Sequence, residues 1–450
     1  MSRMRVLIIG AGQVGFHLAH RLSEEEHDVV LIESDPDRAE YVGEQLDVLT
    51  VVGNGASLPV LEKAGIKRAE MLLAVTSRDE VNVMSCFAAS RFDVPVKVAR
   101  VSNPDYYSTG SALSRETLGI DLLINPEREC AWETFQLLNS RAATDLARFA
   151  DDRLQLIGLR VREGAAVAGK SLIELDAELH DRHYVTAAIV RDGETRIPRG
   201  HDRIEAGDQV FIIAPTPEIA ALQALAGYDD YKLRRVMIAG GSEEGVYLAR
   251  LLEEHGVEST LIELDRRRCV ELAELLPGTL VLNGDATDMD LLEMEGIEGI
   301  DGFVAFTGHD EVNMLSSLLA KSHGAKKVIS LINRFGYIRL VSRVGIDAAV
   351  SPRLSTVNAI LRYVRRGNVR SVVTMKGIDA EAIEFEVGPK ARAVGEPLAT
   401  LDFPDDAVAG AILRDGNIIM PRGRDVFLAG DRVVVFAMPD AIGAVEKLFA

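Results

Sequence analysis

No apolar run in this sequence approaches the ~20 residues that a membrane-spanning helix needs. Each stops early at glycine or a charged residue. Met1-Ser2-Arg3-Met4-Arg5 leads straight into the strand-like Val6-Leu7-Ile8-Ile9, leaving no room for an export signal. The expectation is a soluble chain that reaches a membrane only through a partner. Cysteine is scarce as well. Cys86, Cys130 and Cys269 are far apart, odd in number and outside any CxxC or Cys/His cluster. That usage argues against a disulfide framework or a metal site, and for thiols serving as small buried groups in a reduced, intracellular compartment. Positive charge is in deficit: 50 Lys+Arg against 69 Asp+Glu give a net −19, which repels phosphate backbones and makes nucleic acid a poor candidate partner, so none is expected. A redox-sensing DNA regulator would need a basic recognition helix, and none is visible.

Catalytic signatures are missing too. No GxSxG, HExxH or P-loop GK[ST] in its proper context occurs. Gly169-Lys170-Ser171 resembles the tail of a P-loop, but no buried strand leads into Gly164, and the corresponding Gly395-Glu396-Pro397 has no lysine; a turn is expected. His180 and His183 flank an acidic helical segment without an echo elsewhere, which reads as a solvated face. An NAD-dependent oxidoreductase should place a His, Lys or Tyr proton relay in its second domain. No such constellation is found, so the chain reads as a non-enzyme.

What is present is ordinary globular composition, 47% hydrophobic and 26% charged over 450 residues. That length suggests about three or four domains. The organising feature is a duplication. Val6-Leu7-Ile8-Ile9-Gly10 returns as Val236-Met237-Ile238-Ala239-Gly240, and Leu31-Ile32-Glu33-Ser34-Asp35 as Leu261-Ile262-Glu263-Leu264-Asp265. Gly55-Ala56-Ser57 returns as Asp285-Ala286-Thr287, and Asp79-Glu80-Val81-Asn82 as Asp310-Glu311-Val312-Asn313. Farther along, Arg191-Asp192-Gly193, Pro198-Arg199-Gly200 and Ala206-Gly207-Asp208 recur as Arg414-Asp415-Gly416, Pro421-Arg422-Gly423 and Ala429-Gly430-Asp431. The repeated unit is therefore composite, a larger piece followed by a smaller one.

In the first larger piece, strands are expected near 5–9, 28–32, 48–51, 71–75 and 96–101, with helical periodicity between them, as over 14–23. That alternation predicts a doubly wound parallel sheet. The smaller piece alternates as β-strands over 154–161 and 209–213, around Asp-Gly turns. The predicted class is α/β: two tandem Rossmann-like domains, 1–124 and 233–350, each followed by a small α/β domain, 144–228 and 370–450. Linkers are expected near 125–144, 228–232 and 351–370. Those carrying Trp132, Phe135 and Leu138, and Ile360, Leu361 and Val364, read as helices suited to packing between subunits.

Gly10-Ala11-Gly12-Gln13-Val14-Gly15 follows a strand and opens a helix, and an acid, Glu33, ends the next strand. In that context the glycines allow a tight turn, a close approach to pyrophosphate and close helix packing, and Glu33 can accept from ribose hydroxyls. A carboxylate there disfavours a 2′-phosphate, so NAD(H) is expected over NADP(H); ATP or ADP offers the same ribose. In the second copy Gly240, Gly241 and Gly245 remain, but Ser242 replaces Gly12, and Glu243 and Glu244 bring negative charge to the phosphate end; Glu263 persists. That lobe either no longer binds or binds a different nucleotide weakly.

The glycine motif, Thr76-Ser77 before Asp79-Glu80, Ala99-Arg100 and Pro104-Asp105-Tyr106 resemble the TrkA family of bacterial Trk potassium uptake systems. Over essentially the whole chain, each half is similar to an RCK (KTN) N-domain followed by an RCK C-domain. The resemblance implies NAD contacts from Gly10, Ala11, Gly12, Gln13, Val14, Glu33, Thr76, Ser77 and Arg100. In the second lobe it implies Gly240, Gly241, Ser242, Glu263, Thr307 and Gly308, with Leu331 standing where Arg100 does. It further implies a homo-oligomeric ring, expected as a tetramer, peripheral on the cytoplasmic face of the inner membrane. That ring would gate a TrkH/TrkG-like potassium-translocating subunit by ligand-biased population shift. A ring serving another cation channel or transporter fits the same residues.

Overall fold

The computed structural model describes residues 4–24, 26–107, 113–140, 142–179, 183–228, 232–341, 343–364, 369–375, 378 and 380–449. His180, the centre of the linker at 228–232 and part of that at 351–370 lie outside them.

The first larger piece runs β1 (Arg5–Ile9), α1 (Gln13–Glu24), β2 (Asp28–Glu33), α2 (Pro36–Gln45), β3 (Leu49–Val52), α3 (Leu58–Ala64), β4 (Met71–Ala74), α4 (Asp79–Ser90), β5 (Val96–Arg100) and β6 (Leu122–Ile124), then α5 (Pro126–Leu138). The strands form one parallel sheet in the order β3-β2-β1-β4-β5-β6. Val6, Leu7, Ile8 and Ile9 are buried on both faces, as a sheet covered on both sides requires. Gly10 ends β1 in a left-handed turn (φ +101°). Helix α1 buries Val14, Leu18, Ala19 and Leu22 at helical spacing. Asp35 caps α2 by accepting from the amides of Asp37 and Arg38, with Pro36 at the first helical position. Five strands of this sheet match the sequence expectation. The sixth, β6, is three residues long, too short for a period-2 signal to register.

The first smaller piece contains β7 (Ala143–Phe149), β8 (Leu154–Arg160), α6 (Leu172–Glu178), β9 (Val185–Arg191), β10 (Glu194–Arg196), β11 (Gln209–Pro215) and α7 (Ile219–Leu225). Its antiparallel order is β10-β9-β11-β8-β7. The second lobe follows as β12 (Arg235–Ala239), α8 (Glu243–Glu254), β13 (Glu258–Glu263), α9 (Arg266–Leu275), β14 (Thr279–Asn283), α10 (Met289–Met294), β15 (Gly302–Ala305), α11 (Asp310–Ser322), β16 (Val328–Leu331), α12 (Phe335–Val341) and β17 (Ala348–Val350). After α13 (Pro352–Val364), the last piece is β18 (Val369–Thr374), β19 (Glu381–Glu386), β20 (Ala407–Arg414), β21 (Asn417–Ile419), β22 (Arg432–Ala437) and α14 (Pro439–Phe449). Its order, β18-β19-β22-β20-β21, repeats the first small sheet.

The repeated Arg-Asp-Gly and Ala-Gly-Asp triplets have a structural explanation. Asp192 and Gly193, like Asp415 and Gly416, both have positive φ, as a two-residue type I′ hairpin demands. Arg191 reaches both carboxylate oxygens of Asp208 at 2.8 Å, and Arg414 does the same to Asp431 at 2.9 and 2.7 Å. Both aspartates are buried, so the fork geometry of the pair fixes the hairpin to the strand behind it. Gly169 and Lys170 precede Ser171, which starts α6 with a capping box to Glu174. That segment is a turn, as expected, and His183 is exposed.

The chain divides into two compact units, residues to Cys130 together with α13, and residues from Ala131 to Ser351 together with the final small domain. In the first unit, Val357, Ile360 and Leu361 of α13 complete the core formed by Val14, Leu18 and Leu22 of α1. In the second, the C-terminal part of α5 packs on the second lobe. A Cβ at Gly302 would come within 2.4 Å of Leu138 Cδ2, and the Phe135 ring lies 4.5 Å from that of His255. The fully buried Lys327 donates to the carbonyls of Leu137, Ser140 and Ala143 at 2.5, 2.5 and 2.7 Å. Burial pushes this ammonium down to about 7, with Asp347 opposing. Each connecting helix thus covers the Rossmann lobe of the opposite half. The two small sheets share a core, in which Phe211 and Phe436 meet at 6.1 Å between ring centres. No helix of the described residues is long and apolar enough to cross a membrane.

Candidate nucleotide site

In a doubly wound sheet, a crevice opens at the carboxyl ends of the strands where the order reverses, here between β1 and β4. A cavity of about 390 Å³ occupies that place in the first lobe. Gly10, Gly12, Gln13, Val14, Glu33, Thr76, Ser77 and Arg100, eight of the nine first-lobe residues singled out from sequence, line it. The ninth, Ala11, lies behind the turn, with its amide donating to Glu33 Oε2 at 2.6 Å.

The three glycines are required by different things. A Cβ at Gly15 would fall 1.9 Å from Gly10 O, and one at Gly10 would crowd Thr76. Those two are demanded by the protein itself. A Cβ at Gly12 would meet nothing within 4 Å. No protein atom requires glycine there, and the open space faces the cavity at the start of α1. With no side chain at position 12 to cap the helix, its first amides stay available to an anion.

Glu33 is more committed than a simple ribose acceptor. Its Oε2 holds the Ala11 amide, and its Oε1 accepts from Ser34 N, Ser34 Oγ and Asp35 N at 2.6, 3.0 and 3.0 Å. Partial burial raises its pKa, but the four donors outweigh that and hold it below the usual glutamate value. The carboxylate is therefore ionised and preoriented, and Oε2 retains capacity for one further donor.

Thr76 and Arg100 are placed by a residue recognised in sequence only as part of a repeat. The side chain of Asn82 is fully buried. Its Oδ1 accepts from Thr76 N and Oγ1 at 2.9 and 2.7 Å, and its Nδ2 donates to Thr76 O and Arg100 O at 3.0 and 2.8 Å. Asp79 accepts the amides of Ser102 and Asn103, at 3.0 and 2.8 Å, holding the loop after β5. The Asp-Glu-Val-Asn repeat therefore joins the ends of β4 and β5. Arg78, Asn54 and Arg353 also line the cavity and were not singled out from sequence. Arg353 lies more than 250 residues beyond every other residue lining the cavity, so no local pattern announces it.

The second lobe keeps the frame and changes the phosphate end. Gly240 has φ +108°, Glu263 Oε2 accepts from Gly241 N at 2.8 Å, and Thr307 is held by Asn313 as Thr76 is by Asn82. Ser242, however, caps α8 with its own hydroxyl, accepting from Gly245 N at 3.3 Å. Glu243 in the first turn pairs with Arg268 at 3.2 Å. The helix start that is open at Gly12 is here occupied by a side chain and flanked by carboxylates, an unfavourable setting for an anion. Gly308 stands at the turn in the place of Ser77.

Comparison with known proteins agrees with this architecture. The sequence model of the TrkA-N domain matches residues 6–126 and 236–352, and that of the TrkA-C domain matches 156–227 and 382–450. The chain is 38% identical over 454 residues to Trk system potassium uptake protein TrkA homolog 2 of Methanosarcina mazei, covering 99% of this chain and 100% of that one. It is also 38% identical to Trk system potassium uptake protein TrkA of Azorhizobium caulinodans, covering 99% and 98%. Among solved structures it resembles the GsuK channel bound to NAD (TM-score 0.58, 20% identity, covering 100% of this chain and 79% of that one) and the GsuK RCK domain (TM-score 0.57, 20% identity, covering 100% and 95%). With both domain types matched twice, in the order of the two repeated halves, the chain belongs to the TrkA family of Trk-system potassium uptake proteins.

Proposed function

We propose that this protein is the nucleotide-binding regulatory subunit of a Trk-type potassium uptake system. In this reading it assembles as a homo-oligomeric ring, a tetramer of the four-domain chain bounded as 1–124, 144–228, 233–350 and 370–450. The ring sits on the cytoplasmic face of the inner membrane against a TrkH/TrkG-like translocating subunit. NAD(H), or ATP or ADP, binds the first lobe. Family membership supports the potassium system. The observation that carries the nucleotide reading is the open cradle at Gly12, where glycine is unexplained by any protein contact and α1 starts without a side-chain cap.

Gly10, Ala11, Gly12, Gln13 and Val14 would take the phosphates on backbone amides, Glu33 the ribose, and Thr76, Ser77 and Arg100 the far side. The second-lobe set, Gly240, Gly241, Ser242, Glu263 and Thr307, keeps the ribose acid but presents a capped helix start, which favours a ligand poor in phosphate charge. Function is transmission rather than chemistry: a bound nucleotide shifts the ring between states only by its difference in affinity for them.

Calorimetric titration of the full chain with NADH, NAD, ATP and ADP tests this. Gly12→Ala should weaken first-lobe binding by at least roughly tenfold, and Glu33→Ala by a similar factor, because each removes a complementary surface or acceptor. Wild-type protein that binds none of the four would sink the proposal.

A further inference from the structure

In the second compact unit, a cavity of about 500 Å³ lies where the first small piece meets the second lobe. That size falls within the roughly 300–1,000 Å³ usual for small-molecule sites. The small piece contributes Asp145, Arg160, Asp192 and Gln209, and the loop between α12 and β17 contributes Arg343 and Asp347. The charged groups are unequally committed. Asp347 accepts from Lys321 Nζ at 2.8 and 2.6 Å and from Val328 N at 2.7 Å. Asp145 is buried, accepts from Gln209 Nε2 at 3.4 Å and lies near enough to the Lys327 ammonium to favour its charge. The two guanidinium groups, with five N–H donors each, are largely unused. Arg160 Nη1 makes one long contact, 3.4 Å to Gly207 O, and among the described residues neither Arg160 nor Arg343 is paired with an acid.

Arg343 lies against the Asp192-Gly193 hairpin, where a Cβ on Gly193 would collide with its Nη2. Among the described residues Asp192 nevertheless makes no ion pair with it. At the matching hairpin of the last small piece, Arg153 donates to Gly416 O, so that guanidinium has found an acceptor within the protein. The duplication supplies a second contrast. Val161 and Val387 donate in the same way to Asp208 O and Asp431 O, which aligns Arg160 with Glu386, itself paired with Arg370. The turns closed by Ile120 N on Arg115 O and by Ile346 N on Val341 O align Thr117 with Arg343. Neither arginine belongs to the frame that the two halves share.

We propose that this cavity binds a small organic anion whose carboxylate or phosphate group is held by Arg160 and Arg343. The bound oxyanion bridges β8 of the small piece to the loop before β17 of the second lobe. Lys321 and Lys327 offset Asp347 and Asp145, so the two arginines face only Asp192, a local surplus of positive charge in a chain of net −19. Planar forks match the oxygens of carboxylate and phosphate alike, and they gain most where no protein acid competes. A bare inorganic ion would leave most of the cavity to water, so the occupant is of metabolite size. Gln209 Oε1, which accepts no hydrogen bond among the described residues, and Asp192 can receive a hydroxyl or ammonium elsewhere on the same molecule. No residue is shared with the first-lobe cavity, so the inference is independent of the nucleotide reading.

The test is arginine labelling of the full chain with phenylglyoxal, read peptide by peptide by mass spectrometry, with succinate or inorganic phosphate as probe. For a dissociation constant of about 1 mM, about 10 mM probe should slow labelling of both Arg160 and Arg343 roughly tenfold. Protection by succinate identifies a carboxylate ligand, and protection by phosphate a phosphate ester. Arg343→Gln should weaken calorimetric binding of the protecting probe about tenfold or more and remove its protection of Arg160, while Arg343→Lys recovers part of the loss. Arg343 is exposed, so an unchanged melting temperature without probe should show that the variant is folded. No protection of the pair by either probe, protection confined to Arg78 and Arg100 of the first lobe, or equal affinity in wild type and Arg343→Gln would each overturn the assignment.

Discussion

Asn82 and Asn313 occupy the same place in the two lobes, and each satisfies four hydrogen bonds from a fully buried amide. Truncating either leaves buried backbone groups unpaired, a cost of about 1–3 kcal/mol for each group so stranded. The functional consequences should differ. Asn82→Ala frees the Thr76 turn and the end of β5 where Arg100 begins, so both melting temperature and nucleotide affinity should fall. Asn313→Ala should lower the melting temperature to a similar extent but leave first-lobe affinity unchanged. Equal losses of affinity in the two variants would show that Asn82 acts only through global stability. The recurrence of Asp-Glu-Val-Asn was visible in the sequence, but its purpose was not. Hydrogen bonds from one side chain to the backbones of two strand ends leave no signature beyond the identity of the residue itself.

The connecting helices set the behaviour of whole elements. Gly302, which opens β15, lets Leu138 of α5 lie directly on the sheet. Gly302→Ala should therefore lower stability by about 1–3 kcal/mol through overpacking. Shortening the facing side chain in Gly302→Ala/Leu138→Ala should recover part of that loss, a coupling that differential scanning calorimetry of the single and double variants would detect. If the double variant is simply the sum of the singles, α5 does not dock there in solution. This exchange of helices marks the limit of what the sequence made legible. The strands of the first sheet, the glycine turn, Glu33 and the duplicated small sheets were readable because their patterns are local. Both connecting segments were readable as helices with faces to bury. Which lobe each face covers was not, since an apolar stripe of Val357, Ile360 and Leu361 specifies that it must be covered and says nothing of the cover. Arg353 was missed for the same reason: its place in the cavity follows from the destination of its helix.

At the scale of the molecule, duplication has produced two lobes with one frame and opposite phosphate ends. Gly12 corresponds in the repeat to Ser242, whose hydroxyl caps α8. The frame around it, held by Gly240, Glu263 and the Thr307–Asn313 pair, is nevertheless the same as in the first lobe. The fold also predicts how the chain tolerates cutting. A fragment ending after α5 keeps the first sheet but lacks α13, exposing the apolar face of α1 that Val357, Ile360 and Leu361 cover. Such a fragment should melt well below the full chain or aggregate, and a peptide spanning α13 should raise its melting temperature. A fragment as stable as the intact protein would contradict the packing described.

The borrowed helices carry a consequence for ancestry. A single-copy forerunner of either half, with one lobe and one connecting helix, would have had its own helix in the wrong place and its own lobe uncovered. Two such chains lending each other a helix would solve the problem for both, the arrangement that the two halves reach here within one chain.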